Sequence, residues 1–181
     1  MKNIKAKLLG LLAVVAVVFS VFAVGAFAGN YENVTDETTL VGLLNNSTAD
    51  TIKLEGDITT TAPLAFNDGD YIDLNGKTLT LGAGNNVVAA NAKVTIANGT
   101  VCIDNLDVDT DNAKGTQNVF NIHADGARLT LQGVTLNGKD YASENGVFHL
   151  GAKAAVVVDN STFNLADDKS DRKSTRLNSS H

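Results

Sequence analysis

The stretch Leu129-Thr130-Leu131-Gln132-Gly133-Val134-Thr135-Leu136-Asn137-Gly138 sets the pattern on which the fold of this chain depends. Three other segments superimpose on it without gaps: Ile72–Leu81, Val94–Ile103 and Val156–Leu165. Their first and third positions are always apolar, and the second is polar in three of the four copies. This period of two is what a β-strand with one buried face requires. The segments therefore predict recurring strands that bury equivalent side chains.

A turn residue interrupts each copy at its fifth position. These residues are Gly76, Asn98, Gly133 and Asn160. Glycine and asparagine enter the left-handed backbone region at the least cost, so we predict that each strand bends at one left-handed residue and resumes in a new direction. A threonine follows two positions later in every copy, and the residue after it is again apolar.

The spacing of the copies predicts how the strands assemble. A shorter copy precedes them at Ile52–Ile58, with Gly56 at its turn, and the intervals between copies are too long for a hairpin meander. The intervening chain lacks helical periodicity and contains further short strands, such as those around Phe120 and Phe148. We predict an all-β fold, a right-handed parallel β-helix of about 4–5 coils, in which like residues stack on like.

Residues 29–50 precede the coils, which we assign to residues 51–168. Within this first part, Asp36 to Leu44 predicts a short helix, because Thr35 or Asp36 can cap its start and Leu40, Leu43 and Leu44 share one face. An open solenoid end exposes core side chains and unpaired backbone, so we expect the helix to cover it.

The first 28 residues have the pattern of a secretory signal peptide. Lys2, Lys5 and Lys7 form a positive start, an apolar run follows, and Ala26-Phe27-Ala28 supplies the small residues that a signal peptidase reads. We expect cleavage before Gly29 and a secreted, extracellular or cell-surface protein. The alternative is an uncleaved membrane anchor, since the apolar run approaches spanning length.

The C-terminal end differs abruptly from the alternating chain before it. Residues 169–181 form a tail, and the string DRKSTRLNSSH at 171–181 resembles the translation of a common sequencing-library adapter. We interpret residues 171–181 as an artefact, and we expect the natural protein to be longer than this fragment.

The natural mature chain, residues 29–170 on this interpretation, is acidic. The whole sequence has 20 acidic and 14 basic residues. The charged residues outside the range 29–170 are one acid, Asp171, and six bases, Lys2, Lys5, Lys7, Arg172, Lys173 and Arg176. The 19 acidic and 8 basic residues that remain give a net charge of −11. Nucleic acid is a poor partner for such a surface, because its phosphates require Lys and Arg. The single Cys, Cys102, excludes an internal disulfide.

The cap helix, the segment Thr51–Ile58 and the segment Ile72–Leu79 together resemble the pectin-lyase-like superfamily of right-handed parallel β-helices. Within it, the chain is most similar to repetitive cell-surface proteins of anaerobic bacteria. The resemblance covers about Thr35 to Leu165. It implies an architecture rather than an activity, because the superfamily includes polysaccharide lyases, glycoside hydrolases, adhesins and structural stalks.

Asp107, Asp109 and Asp111 are the candidate metal ligands. Alternating carboxylates suit a hard cation such as Ca²⁺, and counted from Asp107 the segment begins like an EF-hand loop. It lacks Gly at the sixth place, Asn112, and Glu at the twelfth, Asn118. The alternative is a solvated insertion without a cation.

Two further groups contain residue types that can bind metal or act as nucleophiles. His123 and His149 are expected to face outward on neighbouring coils, without the third ligand typical of zinc sites. Cys102 shares a column with Thr80 and Asn137, which places it outside the core.

No residue is assigned a catalytic role. Arg128 is the only Arg within residues 29–170, and Asp73 has Thr95 rather than an acid beside it in the gap-free alignment. The leading expectation is therefore a non-catalytic adhesion or structural module that presents a polar, acidic face to glycans or host surface proteins. The alternative is the N-terminal fragment of a polysaccharide lyase or glycoside hydrolase whose catalytic coils are missing. Membrane contact is expected only through the signal segment before its cleavage.

Overall fold

A computed structural model describes residues 31–46, 51–82, 84–103, 119–138 and 146–165. The helix and strands of these ranges are α1 (Glu37–Asn46), β1 (Tyr31–Val34), β2 (Thr51–Leu54), β3 (Ile58–Thr59), β4 (Ala65–Phe66), β5 (Tyr71–Asp73), β6 (Thr78–Thr80), β7 (Asn86–Val88), β8 (Lys93–Cys102), β9 (Phe120–Ile122), β10 (Arg128–Gly138), β11 (Phe148–Leu150), β12 (Ala155–Asp159) and β13 (Thr162–Leu165). The predicted all-β class is confirmed, since strands in parallel sheets dominate.

The strands form two parallel sheets. The first has the order β1-β2-β5-β8-β10-β12, with β3 paired to β6, β6 to β8, and β13 to β10. The second has the order β4-β7-β9-β11. From β4 onward, each visit of the chain to the second sheet is a single strand, after which the chain returns to the first sheet.

The long strand β10 shows how register and burial agree. Leu131 lies opposite Ile96 of β8 and Val158 of β12, and Leu136 lies opposite Val101 of β8 and Phe163 of β13. Thr130 and Thr135 alternate with these buried positions and face away from the core, as the period of two predicts, whereas Val134, which directly follows the corner, is buried with the core residues. The alignment of the last three copies is therefore confirmed.

The gap-free alignment is wrong at the start of the first copy. Ile72 lies opposite Ile96, whereas the alignment places it opposite Val94. The reason is a longer turn: Asn75 (φ 51°) and Gly76 (φ 73°) are both left-handed, and the Lys77 amide donates to the Leu74 carbonyl at 2.7 Å. After this turn, Thr78 pairs with Thr100, as predicted.

The four predicted turn residues all have left-handed backbones. Their φ angles are 73° at Gly76, 59° at Asn98, 62° at Gly133 and 46° at Asn160. The Gly76 amide donates to the Asn98 carbonyl at 2.6 Å, so consecutive corners are joined by backbone as well as by register. Gly56 of the short copy does not have a positive φ.

The cap helix lies close to its predicted position, from Glu37 to Asn46. Asp36 caps it, with its Oδ1 accepting from the Thr39 amide at 2.8 Å. Leu40 and Leu44 are buried in the same apolar cluster as the strand side chains. Strand β1, which pairs in parallel with β2 and forms the edge of the first sheet, was not predicted.

Aromatic rings continue through the interior of the second sheet. The Phe66 and Phe120 rings are 6.4 Å apart, and the Phe120 and Phe148 rings are stacked at 5.8 Å. Burial decreases toward the last strands, where Leu150 (49% exposed), Val158 (37%) and Leu165 (41%) are partly open to solvent.

Asn86 is a fully buried polar side chain that sequence reasoning missed. Its Oδ1 accepts from the Leu64 amide at 2.8 Å, and its Nδ2 donates to the Val119 carbonyl at 2.9 Å. The oxygen and the nitrogen of this side-chain amide therefore both have hydrogen-bond partners, which removes the cost of burying them.

Several predictions concern residues that the structure does not describe. These are the signal peptide at 1–28, the metal ligands Asp107, Asp109 and Asp111, and the tail at 169–181. Across the described ranges, no helix is long and apolar enough to cross a membrane.

Candidate functional site

The second half of each copy presents a face of small polar side chains, which we call the threonine face. Its members are Thr78, Thr80, Thr100, Cys102, Thr135, Asn137, Thr162 and Asn164. They lie on either side of the inward residues Leu79, Val101, Leu136 and Phe163, so they point away from the core.

The threonine face forms two parallel rows. One row contains the four threonines that follow the corners, and its neighbours pair directly: Thr78 with Thr100, Thr100 with Thr135, and Thr135 with Thr162. Pairing of this kind places neighbours along a row about 4.8 Å apart and separates the two rows by about 6.8 Å. The face therefore repeats the same chemical groups at regular intervals.

The second row confirms the predicted column of Cys102. Cys102 lies between Thr80 and Asn137 and is half-buried. Farther along the row, the Asn164 Nδ2 donates to the Asn137 Oδ1 at 2.9 Å. This hydrogen bond joins the side chains of two neighbouring strands, β10 and β13, at one end of the row.

Charge is concentrated on the other side of the corners. Lys53 binds Glu55 there, with its Nζ 2.9 Å from Oε1, and this contact raises the pKa of Lys53. Asp73 lies opposite Lys53 and Ala97, which corrects the expected neighbour Thr95. The threonine face itself contains no Asp, Glu, Lys or Arg.

Asp73 has a structural role in the corners. Its Oδ1 accepts from the Asn75 amide at 2.9 Å and from the Asn98 Nδ2 at 3.2 Å. The carboxylate thus holds two turn residues, and its direct neighbours in the column are Lys53 and Ala97, neither of them an acid. The geometry gives Asp73 no place in a hydrolytic pair, which needs two carboxyl groups across a sugar.

Asp70 is the one buried carboxyl in the described ranges, at 5% exposure. Burial raises the pKa of Asp70 and is the largest effect. The Asn67 amide, which donates to the Asp70 Oδ2 at 2.7 Å, lowers the pKa, and the nearby charge of Asp68 raises it. A raised pKa in a cleft can mark a catalytic acid. Here the carboxyl closes the turn from Asn67 to Asp70, and this structural role accounts for its position.

Glu37 links the cap helix to the strands. Its Oε1 accepts from the backbone amide of Thr61, a hydrogen bond that lowers the pKa of Glu37, and from the Thr61 hydroxyl at 3.0 Å. Asn67 adds a second link, since its Nδ2 donates to the Leu44 carbonyl. The helix is therefore fixed near both of its ends.

The other candidates are dispersed. His123 and His149 are exposed on the second sheet, as predicted, and their rings stack at 4.7 Å. Arg128 begins β10 at an exposed position, opposite Lys93 and Ala155. No group of three or more His, Cys, Asp or Glu side chains that suits a metal ion occurs among the described residues.

Comparison with known proteins identified no relative of this chain: no family model, no curated protein and no solved structure matches it.

Proposed function

We propose that the two sheets are faces of one right-handed parallel β-helix of the pectin-lyase-like kind, with each winding containing strands from both. The support is the order of the strands: the chain alternates between the sheets from β4 onward, and every pairing joins a strand to its equivalent in the next copy. Parallel crossover connections are right-handed in about 98% of cases, which favours that hand here.

We propose that the protein is a secreted, non-catalytic adhesion or structural module of the cell surface. The observation that carries this proposal is the threonine face, a regular and uncharged array on a stiff scaffold. Hydroxyl and amide groups both donate and accept, as the hydroxyls of a glycan or the backbone of a host protein require. The strand amides are already paired, so recognition falls to the side chains.

Rigidity makes such an array useful. Threonine is restricted at χ1, so a regular array of threonines on paired strands loses little conformational entropy when a partner binds. The net charge of −11 over residues 29–170 keeps the protein soluble and repels other acidic surfaces. A long neutral or cationic partner therefore suits this face better than an acidic polysaccharide.

Binding to immobilised glycans and host matrix proteins tests the proposal. The test variant is T100K/T135K, which places two ammonium groups in the centre of the threonine face. The matched control is T95K/T130K, which changes half-buried threonines of the same two strands on the other side of the corner. We expect the wild type and the control to bind alike and the test variant to lose binding.

Equal binding by all three proteins would exclude the threonine face as the binding surface, and no binding by the wild type would overturn the adhesion proposal. Turnover of pectic polysaccharides by the longer natural protein would favour the alternative, a polysaccharide lyase or hydrolase fragment. Secretion is tested separately by expressing residues 1–181 in a bacterial host and sequencing the N-terminus of the exported product. The signal-peptide pattern supports a mature chain beginning at Gly29, and retention in the membrane would contradict it.

A further inference from the structure

Two histidines from different copies meet on the outer side of the second sheet. His123 directly follows β9, and His149 is the central residue of β11. Their ring centroids are 4.7 Å apart with an interplanar angle of 22°, and both residues are exposed.

The register of β9 and β11 explains this contact. Phe148 lies opposite Phe120, which places His149 opposite Asn121 and diagonal to His123. Both histidines alternate with inward residues, so they share the outer side of the sheet. The stacked phenylalanines and the hydrogen bond from the Gly151 amide to the Ile122 carbonyl, at 3.1 Å, fix the two backbones relative to each other.

The imidazole nitrogens are available for a ligand. Neither ring forms a hydrogen bond with another residue in the described part of the chain, whereas the His123 backbone amide donates to the Asn121 Oδ1 at 3.2 Å. The nearest charged groups in sequence and register, Asp125 and Lys153, bind each other at 2.8 Å. Asp125 therefore compensates Lys153, whose positive charge opposes the binding of a cation less than a free ammonium group would.

We propose that His123 and His149 together bind a divalent transition-metal ion that prefers imidazole, such as Cu²⁺, Ni²⁺ or Zn²⁺. Imidazole suits these ions, whereas Ca²⁺ and Mg²⁺ prefer oxygen. Metal–nitrogen distances of about 2.0–2.1 Å let two rings at this separation reach one ion after a rotation of exposed side chains. Water completes the coordination. The site lies on the second sheet and is separate from the threonine face.

The test is calorimetric titration of the full chain, prepared without a histidine tag, with Ni²⁺. The variants are H123Q and H149Q, and the matched control is H181Q, which removes the only other histidine of the sequence. We expect the wild type and H181Q to bind one ion with the same affinity. Each of the other variants should bind about tenfold more weakly or worse, because a chelate depends on both of its ligands.

Two further measurements separate binding by the histidine pair from binding by carboxylates elsewhere on the surface. Ni²⁺ should raise the melting temperature of the wild type and of H181Q but leave that of H149Q unchanged, since a ligand stabilises only the state that binds it. Excess Ca²⁺ should not displace Ni²⁺, whereas displacement would assign the binding to carboxylates. Unchanged affinity in H123Q and H149Q, or no binding by the wild type, would overturn the proposal.

Discussion

Replacement of Gly133 tests whether the corners depend on a left-handed backbone. Gly133 has a φ of 62°, and a Cβ built there would lie 3.6 Å from the Asn98 Oδ1, which is an ordinary van der Waals distance. Space is therefore available, and any loss of stability must come from the backbone conformation. An L-residue pays about 1–2 kcal/mol in this region, and asparagine pays less because its side chain tolerates it.

Three substitutions at this position should form a series. We expect G133N to stay within about 0.5 kcal/mol of the wild type, because asparagine already occupies the equivalent corners at Asn98 and Asn160. G133A should lose about 1 kcal/mol, since the reduced entropy of its unfolded chain offsets part of the strain. G133V should lose about 2 kcal/mol or more, because a β-branched residue is least compatible with positive φ.

Urea unfolding followed by far-ultraviolet circular dichroism measures the series. The steric control is G99A, since a Cβ at Gly99 would lie 2.5 Å from the Leu74 Cβ and must displace it. The reasoning is refuted if G133N destabilises the protein as much as G133V does, or if G133V is neutral. Either result would mean that the corner conformation is not what positions the next strand.

Three other changes follow from the packing and the charges. D70N should be more stable than the wild type at neutral pH and equally stable in acid. Burial raises the pKa of Asp70 in the folded state, so the free energy of unfolding of the wild type is highest below the ordinary pKa of the carboxyl and falls as pH rises through the raised folded-state pKa. Urea unfolding at several pH values checks this, and a gain that is largest in acid would contradict it. F120A should lower the free energy of unfolding by about 3–5 kcal/mol, since the Phe120 ring is fully buried. F163A should lower it less, because the Phe163 ring on β13 is only partly buried; equal losses would show that the two rings are equally well packed. We expect the wild type to self-associate in light scattering through partly exposed apolar residues of the edge strands β12 and β13, and V158K/L165K, which places charge there, to reduce it; a monodisperse wild type or unchanged self-association would contradict this.

The strand pattern and the corners were predictable because they depend on local rules. Alternation of apolar residues reports which side chains face the core, and Gly or Asn at a fixed position reports a positive φ. These rules predicted the pairing of Leu131 with Ile96 and the left-handed backbone of Asn160. They could not show that Asn75 and Gly76 form a longer turn, since asparagine also occurs in ordinary polar positions.

Features that depend on distant partners were missed for a physical reason. Strand β1 is short and mostly exposed, so no apolar alternation marks it, and only its pairing with β2 defines it. Asn86 lies two residues before the buried Val88, so alternation places it on the inner side of β7. Alternation alone is only a weak indication that its side-chain amide is buried. Its partners Leu64 and Val119 are far apart in sequence, and a single sequence does not connect them.

The buried side-chain amide of Asn86 also bears on how the fold accommodates a change in the length of the segment between Ile103 and Val119. The chain leaves the first sheet at Ile103 and returns to described structure at Val119, whose carbonyl accepts from both the backbone and the side-chain nitrogen of Asn86. Asn86, which belongs to the preceding strand of the second sheet, therefore anchors Val119. We therefore expect an insertion between Ile103 and Val119 to leave the pairing of the later strands unchanged, which would make this position suitable for grafting a foreign peptide.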